Sequence, residues 1–446
     1  MIENTRRWLV GCGLLLVLFV CRSANAQSWQ AGVARVVITP EQLMWMSGYG
    51  SRDHAAEGKL HDLFARASVL RDSTGTTAVF ISMDLIGVPP KLVQAVSAAV
   101  EKQHGIPRRS LMFACSHTHC GPALDDKLSH MLAMTEADWV QVRQYQEQLN
   151  GKIIKLINDA MADLKPARIS VGSGTCDFAS NRRAPIGTGP FDHQVPVLRI
   201  DSADGKQLRG VVFGYACHNT TMGFYQWSGD YAGFAQLDLE ERYPGSVAMF
   251  FTGCGADQNP LPRRKLELCE KYGRMLSLSV GQVLAKDMTP VAGGLKTAFQ
   301  EIPLEFDALP SKPTLEQQAE GKDRFLKARA KLLLNEWQTE GALRKSYPYP
   351  IQVWQLGGQV TWVALGGEVV IDYQLRLKRE LGPTTTWVTG YANDVMAYIP
   401  SERILTEGGY EGETSMIYYQ FPSKWRAGLE AQIVGTVGEL RRSVAP

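Results

Sequence analysis

Two histidines one residue apart, His117 and His119, stand in the run Ser116-His117-Thr118-His119-Cys120-Gly121-Pro122. The run follows an apolar stretch, Ser110 to Ala114, that reads as a buried strand, and it ends in a Gly-Pro turn. Side chains alternate along an extended segment, so both imidazoles are expected to point to one side. Two imidazoles leaving a strand end together can bind a metal ion, or divide metal and proton duties between them. Taken alone, the pair reads equally well as two surface histidines at a strand exit.

Other candidate ligands occur where apolar runs end. Gly210 to Ala216 leads into Cys217-His218-Asn219-Thr220-Thr221-Met222, and Val360 to Leu365 leads into Gly366-Gly367-Glu368. Thr385 to Val388 continues through Gly390-Tyr391-Ala392-Asn393-Asp394 to Tyr398-Ile399-Pro400. Val247 to Phe251 runs into a loop, Gly253 to Pro260, that contains Asp257 and Asn259. In open α/β sheets ligands gather at the carboxyl ends of strands, so these groups are expected to meet at one rim. Each also has an ordinary reading: Glu368 as a helix cap, Tyr398 as a packed aromatic, His218 as a satisfied core histidine, the loop as a tight connection.

The ordered set resembles the neutral ceramidases, zinc amidases that split ceramide into sphingosine and a fatty acid. The resemblance is carried by Ser116 to Pro122, an Ala-x-His-x-Thr-x-Met segment at 216–222, and Ser228-Gly229-Asp230. An Asp-x-x-Pro loop at 257–260, Gly366-Gly367-Glu368 and the tyrosine after Tyr391-x-Asn393-Asp394 complete it. It extends over almost the whole chain, from Ala31 to Pro40 and Met46 to Tyr49, through Leu63 to Ala67 after His61-Asp62, to Tyr410-Glu411-Gly412.

The resemblance implies one Zn2+ per chain, held by the imidazoles of His117 and His218, the carboxylate of Glu368 and the phenol oxygen of Tyr398. It implies that His119 contacts the water at the metal rather than the metal, and that Arg182 lies in the pocket. Tyr410, twelve residues after Tyr398, matches the family's active-site tyrosine, and Asp257 is a further catalytic candidate. Such a set suits amide hydrolysis. Zinc lowers the pKa of water to about 7 and polarises the carbonyl. His119 can relay a proton to the leaving nitrogen, and Tyr410 and Arg182 can stabilise the developing negative charge.

Two departures stand out. The family's Asp-x-Ser-Pro is here Asp257-Gln258-Asn259-Pro260. Asn259 speaks against serine chemistry and becomes a candidate substrate contact through its amide. The likeness also covers the catalytic part alone, so no C-terminal immunoglobulin-like domain is expected, and substrates other than ceramide stay open. A zinc esterase or amidase for another acyl compound would use the same residues. A non-catalytic relative that binds lipid or glycan would need only the pocket.

The elements that must position these residues alternate. Strand-like runs include Val33 to Ile38, Ala65 to Leu70, Thr77 to Met83, Val195 to Ile200, Val247 to Phe251 and Val360 to Leu365. Helical patterns fall at Leu92 to Gln103, Glu136 to Leu164, Arg264 to Lys286, Leu315 to Leu334 and Val369 to Leu381. In Glu136 to Leu164 a 3.6-residue period puts Val142, Tyr145, Leu149, Ile153 and Ile157 on one side. Alternation of this kind predicts an α/β fold of layered mixed sheets with flanking helices. Pro310-Ser311-Lys312-Pro313 is the best candidate hinge within one catalytic domain spanning 27–446.

Residues 1–26 read as a signal peptide: Arg6 and Arg7, an apolar core from Leu9 to Cys21, and a small-x-small site at Ala24-Asn25-Ala26. The core falls short of the ~20 residues that span a bilayer. Cleavage after Ala26 would make the protein secreted or periplasmic. The chain has 47 basic and 45 acidic residues, and loss of Arg6, Arg7, Arg22 and Glu3 leaves it formally neutral. Neutrality argues against nucleic acid as a partner and leaves a lipid substrate, met at a membrane surface, as the partner implied. Cys115, Cys120, Cys176, Cys217, Cys254 and Cys269 remain, and their spacing selects no disulfide pairing.

Overall fold

A computed structural model describes residues 29–126 and 128–445; the signal-peptide reading of 1–26 lies outside them. Strands covered on both faces read as continuous apolar runs, and that is how this chain uses them. In Thr77–Met83, Val79, Ile81 and Met83 join one core while Ala78 and Phe80 join another. Leu111–Cys115 divides its side chains in the same way.

These strands belong to a large mixed sheet. Its order is Val247–Thr252, Leu208–Tyr215, Gln194–Ser202, Lys165–Thr175, Trp29–Val37, Phe64–Arg71, Thr77–Met83, Leu111–Cys115. The outermost pair at each end is parallel and the inner pairs are antiparallel. A smaller sheet orders Leu295–Glu305, Ser346–Leu356, Val360–Leu365 and Thr386–Thr389. The two sheets share a core of Phe80, Met112 and Phe251 against Trp354, Trp362 and Trp387. Helices Pro90–His104, Glu136–Ala162, Asp230–Arg242 and Leu266–Leu284 cover the far face of the large sheet. Ile371–Leu381 and Leu429–Ser443 cover the far face of the small one. The result is four layers, helix, sheet, sheet, helix: an α/β fold of layered mixed sheets with flanking helices.

Twist curls the large sheet until its two edges touch. Thr252 Oγ1 donates to the carbonyls of Cys115 and Ser116 at 3.0 Å each. Ser82 Oγ donates to the Phe250 carbonyl at 2.5 Å. The chain exits after Cys115, Tyr215 and Thr252 are thereby gathered at one rim, as the strand ends predict.

Some elements differ from the sequence reading. The helix expected over Leu315 to Leu334 is two helices, Lys312–Glu320 and Arg324–Glu340. Gly321 ends the first, and the Asp323 carboxylate starts the second by accepting from the amides of Phe325 and Leu326. Pro310 to Pro313 opens this hairpin, with Ser311 as its cap. The strands on either side, Leu295–Glu305 and Ser346–Leu356, pair along their whole length, so the chain leaves and rejoins one sheet. The hairpin has a small core of its own, built on Leu315, Ala319, Ala330, Leu333 and Leu343. All six cysteines named above are buried and unpaired. Among the described residues no helix is long and apolar enough to cross a membrane.

Candidate metal centre and active site

His117 does not project from an extended strand. The strand ends at Cys115, and His117 has φ +58°, a left-handed conformation that costs a non-glycine residue ~1–3 kcal/mol. Hydrogen bonds hold it there. Its Nδ1 lies 2.5 Å from the Ile86 carbonyl, Ser116 N donates to Met83 O at 2.9 Å, and Thr118 Oγ1 donates to Ser228 O at 2.7 Å. The side-by-side placement of His117 and His119 is therefore the work of a strained turn, not of strand alternation.

His218 follows Leu208–Tyr215, the strand paired with Val247–Thr252, and is fixed by the loop after Thr252. Its Nδ1 meets the Gly255 carbonyl at 2.7 Å and its amide donates to Gln258 O at 3.0 Å. A Cβ on Gly255 would lie 2.8 Å from the Cys217 nitrogen, so only glycine lets the loop approach this closely. Glu368 and Tyr398 arrive from the small-sheet side. They are register partners in a parallel pairing of Glu368–Val369 with Tyr398–Ile399.

These side chains converge. Glu368 Oε2 lies 3.2 Å from His117 Nε2 and 3.1 Å from His218 Nε2. His119 Nε2 lies 3.2 Å from His117 Nε2, and ligand nitrogens of the three histidines all fall within 4.8 Å of one another. Because each Nδ1 of His117 and His218 faces a carbonyl, which can only accept, the proton of the neutral ring sits on Nδ1. Both Nε2 lone pairs then point at a carboxylate oxygen that has no donor of its own. Acceptors facing an acceptor in a buried site need a cation between them, and imidazole nitrogen with carboxylate oxygen suits zinc. The residues present fit a metal ion.

The electrostatics agree. Burial pushes the His218 imidazole down to about 4, so it is neutral at pH 7. Burial, with repulsion from His117 and His218, holds His119 well below its usual range. Burial alone would push the Glu368 carboxyl up, but His117 and His218 beside it hold it well below the ordinary carboxylate range. Burial and the Glu368 charge raise the Tyr398 phenol, against which Arg182 Nη2 donates to its Oη at 3.1 Å.

The other predicted residues fall into two groups. Tyr410 is 42% exposed and stands at the mouth, its ring 5.2 Å from that of Tyr398. Arg182 stands one step behind the cavity, spanning Tyr398 and Glu411, whose Oε1 it meets at 2.7 Å. Asp257 is fully buried and faces away from the cavity. Its carboxylate accepts from Ile371 N at 2.9 Å and Asn181 Nδ2 at 2.8 Å, and its carbonyl accepts from Arg182 N at 2.8 Å. It ties the loop to the frame. Asn259 is buried in a short strand opposite Ser180 and is not among the residues that line the cavity.

The cavity itself measures about 400 Å³ and is lined by His117, His119, Glu368, Tyr398, Tyr410 and Tyr49. Arg324 and Phe325 of the helical hairpin form its outer wall. Sequence reasoning missed Tyr419, which donates to Glu368 Oε1, and the role of Glu411 as the anchor of Arg182 and Arg183. It also missed why Gly48 stands where it does: with φ +102°, a Cβ there would lie 2.5 Å from His119 Nδ1. The Met46 to Tyr49 match was the only trace of it.

Comparison with known proteins identifies the family and the fold. The family model described as neutral/alkaline non-lysosomal ceramidase, N-terminal, matches residues 29–253. Neutral ceramidase of Pseudomonas aeruginosa is 23% identical over 491 residues, covering 92% of this chain and 72% of that protein. Neutral ceramidase of Mycobacterium tuberculosis is 26% identical over 223 residues, 45% of this chain and 34% of its own length. The crystal structure of the Pseudomonas aeruginosa protein superposes with a TM-score of 0.72 at 21% identity, covering 94% of this chain and 75% of that one. A ceramidase complexed with C2 gives 0.71, also at 21% identity, over 94% and 76%. At that identity the likeness establishes the fold.

Proposed function

Because the chain belongs to the neutral/alkaline non-lysosomal ceramidase family, we propose that it is a zinc-dependent amidohydrolase. Its substrate is the N-acyl amide of ceramide or a related N-acyl lipid, which water splits into a fatty acid and an amine, sphingosine in the case of ceramide. The observation that carries this assignment is the convergence of His117 Nε2 and His218 Nε2 on Glu368 Oε2. The names of the relatives from Pseudomonas aeruginosa and Mycobacterium tuberculosis, both neutral ceramidases, support the choice of substrate.

His117, His218, Glu368 and Tyr398 would hold one zinc ion, which when bound supplies Lewis-acid polarisation of the amide carbonyl and activation of water. His119 does separate work. Its Nδ1 has no hydrogen-bond partner, so no carbonyl locks its tautomer, and burial keeps the ring neutral with a lone pair to offer. It accepts a proton from the attacking water and returns it to the leaving nitrogen, without which an amine anion would have to depart. Tyr410 donates its phenol hydrogen to the oxygen that gains charge as the carbonyl carbon becomes tetrahedral. Arg182 acts through Tyr398, whose oxygen it holds in place, and Asp257 through the backbone of Arg182.

The same proposal covers the chain's address: residues 1–26 as a cleaved signal peptide and 27–446 as the catalytic domain, secreted or periplasmic, meeting its lipid at a membrane surface. The test is hydrolysis of a panel of N-acyl lipids by purified protein, before and after chelation and after zinc is restored. Amide cleavage lost on chelation and regained with zinc is expected. Absence of cleavage across the panel, or cleavage indifferent to the chelator, would overturn the assignment.

A further inference from the structure

Glu368 has two carboxylate oxygens, and the fold treats them differently. Oε2 faces His117 Nε2 at 3.2 Å and His218 Nε2 at 3.1 Å and receives no hydrogen bond. Oε1 accepts the phenol hydrogen of Tyr419 in a short contact. Tyr419 is 1% exposed, its amide donates to Ser415 O at 3.3 Å, and its ring stands edge-on to Tyr398 at 6.2 Å. The neighbouring Tyr418 packs edge-on against Phe325 of the hairpin at 4.9 Å. Tyr419 is therefore buried, with its backbone anchored and its ring against Tyr398, and is not a surface group that happens to touch a carboxylate.

We propose that Tyr419 is a positioning residue that reserves Glu368 Oε1, so that Glu368 meets the metal through Oε2 alone. This rests on the proposed metal centre. The terminal torsion of a glutamate is soft and nearly two-fold, so a free carboxylate beside a cation can turn and offer both oxygens. A donor fixed on one oxygen removes that option. The distinction matters because a catalytic zinc site needs a position left for water, and a carboxylate that closes on the ion with both oxygens takes up room. A hydrogen bond to the bound carboxylate also sets how strongly it holds the ion. Loss of such a partner typically costs about 10–100-fold in metal affinity.

The test compares wild type with Tyr419→Phe, which keeps the ring and removes the donor. Zinc affinity of the metal-free proteins is measured by competition with a chromophoric chelator, and the visible absorption of the cobalt-loaded forms is recorded. Tyr419→Phe is expected to bind zinc about 10–100-fold more weakly and to give weaker cobalt bands, as a higher coordination number does. Equal affinity with an unchanged spectrum overturns the proposal. Should Tyr419→Phe fail to fold, a crystal structure of the zinc-loaded wild type decides. Glu368 bound through Oε2 alone with Tyr419 on Oε1 supports the proposal, and Glu368 bound through both oxygens overturns it. A wild-type protein that takes up no zinc removes the metal centre and this proposal together. One that takes up zinc and cleaves N-acyl amides, while Tyr419→Phe matches it in affinity and spectrum, removes this proposal alone.

Discussion

Glu368 and Tyr398 are opposed in register across a two-residue parallel pairing, so the carboxylate and the phenol leave adjacent backbone positions. The pairing sets their separation, and bonds from Gly367 N to Asp394 O and from Tyr391 N to Gly367 O brace it. His117 and His218 reach the same point from the large sheet, each locked by a carbonyl on Nδ1. Two rigid supports thus meet, and that division generates the first expectations.

Removing a donor from either support should empty the site. His117→Ala and Glu368→Ala are each expected to lower zinc content from one per chain to near zero after dialysis, measured by elemental analysis. Full retention of zinc by Glu368→Ala would remove the carboxylate from the ligand set.

His119→Ala and Tyr410→Phe should behave in the opposite way. Both are expected to keep zinc while kcat falls, about 10²–10⁴-fold for the proton carrier and about 10²–10³-fold for the oxyanion donor. Zinc content and kcat measured on the same preparations separate the two classes. Loss of zinc from His119→Ala would make that ring a ligand, and a fully active Tyr410→Phe would end its oxyanion role.

Gly48→Ala tests how tightly His119 is seated. The new methyl would sit 2.5 Å from His119 Nδ1, at a backbone φ of +102°. Overpacking and conformational strain together predict a loss of ~1–3 kcal/mol and a displaced imidazole. Activity is expected to fall while zinc content holds, read by thermal unfolding, turnover and metal analysis. A variant with wild-type melting and turnover would show that the ring has slack.

The metal-free protein should be acid-sensitive in a defined window. In the unfolded chain a histidine takes up its proton below about 6.5, whereas folded His218 stays neutral down to about 4. Between those values the unfolded state binds more protons, so stability rises with pH. Chelator-treated protein is expected to lose up to ~3 kcal/mol from this group as pH falls through the window. Urea midpoints at the two ends of the window measure it. Equal midpoints would mean that folded His218 is already protonated.

Tyr398 entered through the family resemblance; that His117, His218 and Glu368 would meet was legible because each follows an apolar strand, and strand ends share a rim. The manner of convergence was not. Nothing in the residue type of His117 announces a left-handed backbone, so alternation along a strand led to a sound expectation by an inapplicable route. Asp257 and Asn259 entered through the family's Asp-x-Ser-Pro segment, whose serine lines the pocket; here both are buried and bonded into the frame. Tyr419 left no local signal, since its role depends on Glu368, which is distant in the chain. The break between the hairpin helices was written in Gly321 and Asp323, but a continuous helical period across Leu315 to Leu334 masked it.

The contact between Thr252 and the carbonyls of Cys115 and Ser116 turns the large sheet into a ring with a seam. His117 lies just beyond one lip and the loop that holds His218 just beyond the other, so an ion held by both would work as a rivet. Opening the seam would have to release the ion first. Amide hydrogen exchange along Val247–Thr252 should accordingly slow on metal loading more than exchange in the outer helices.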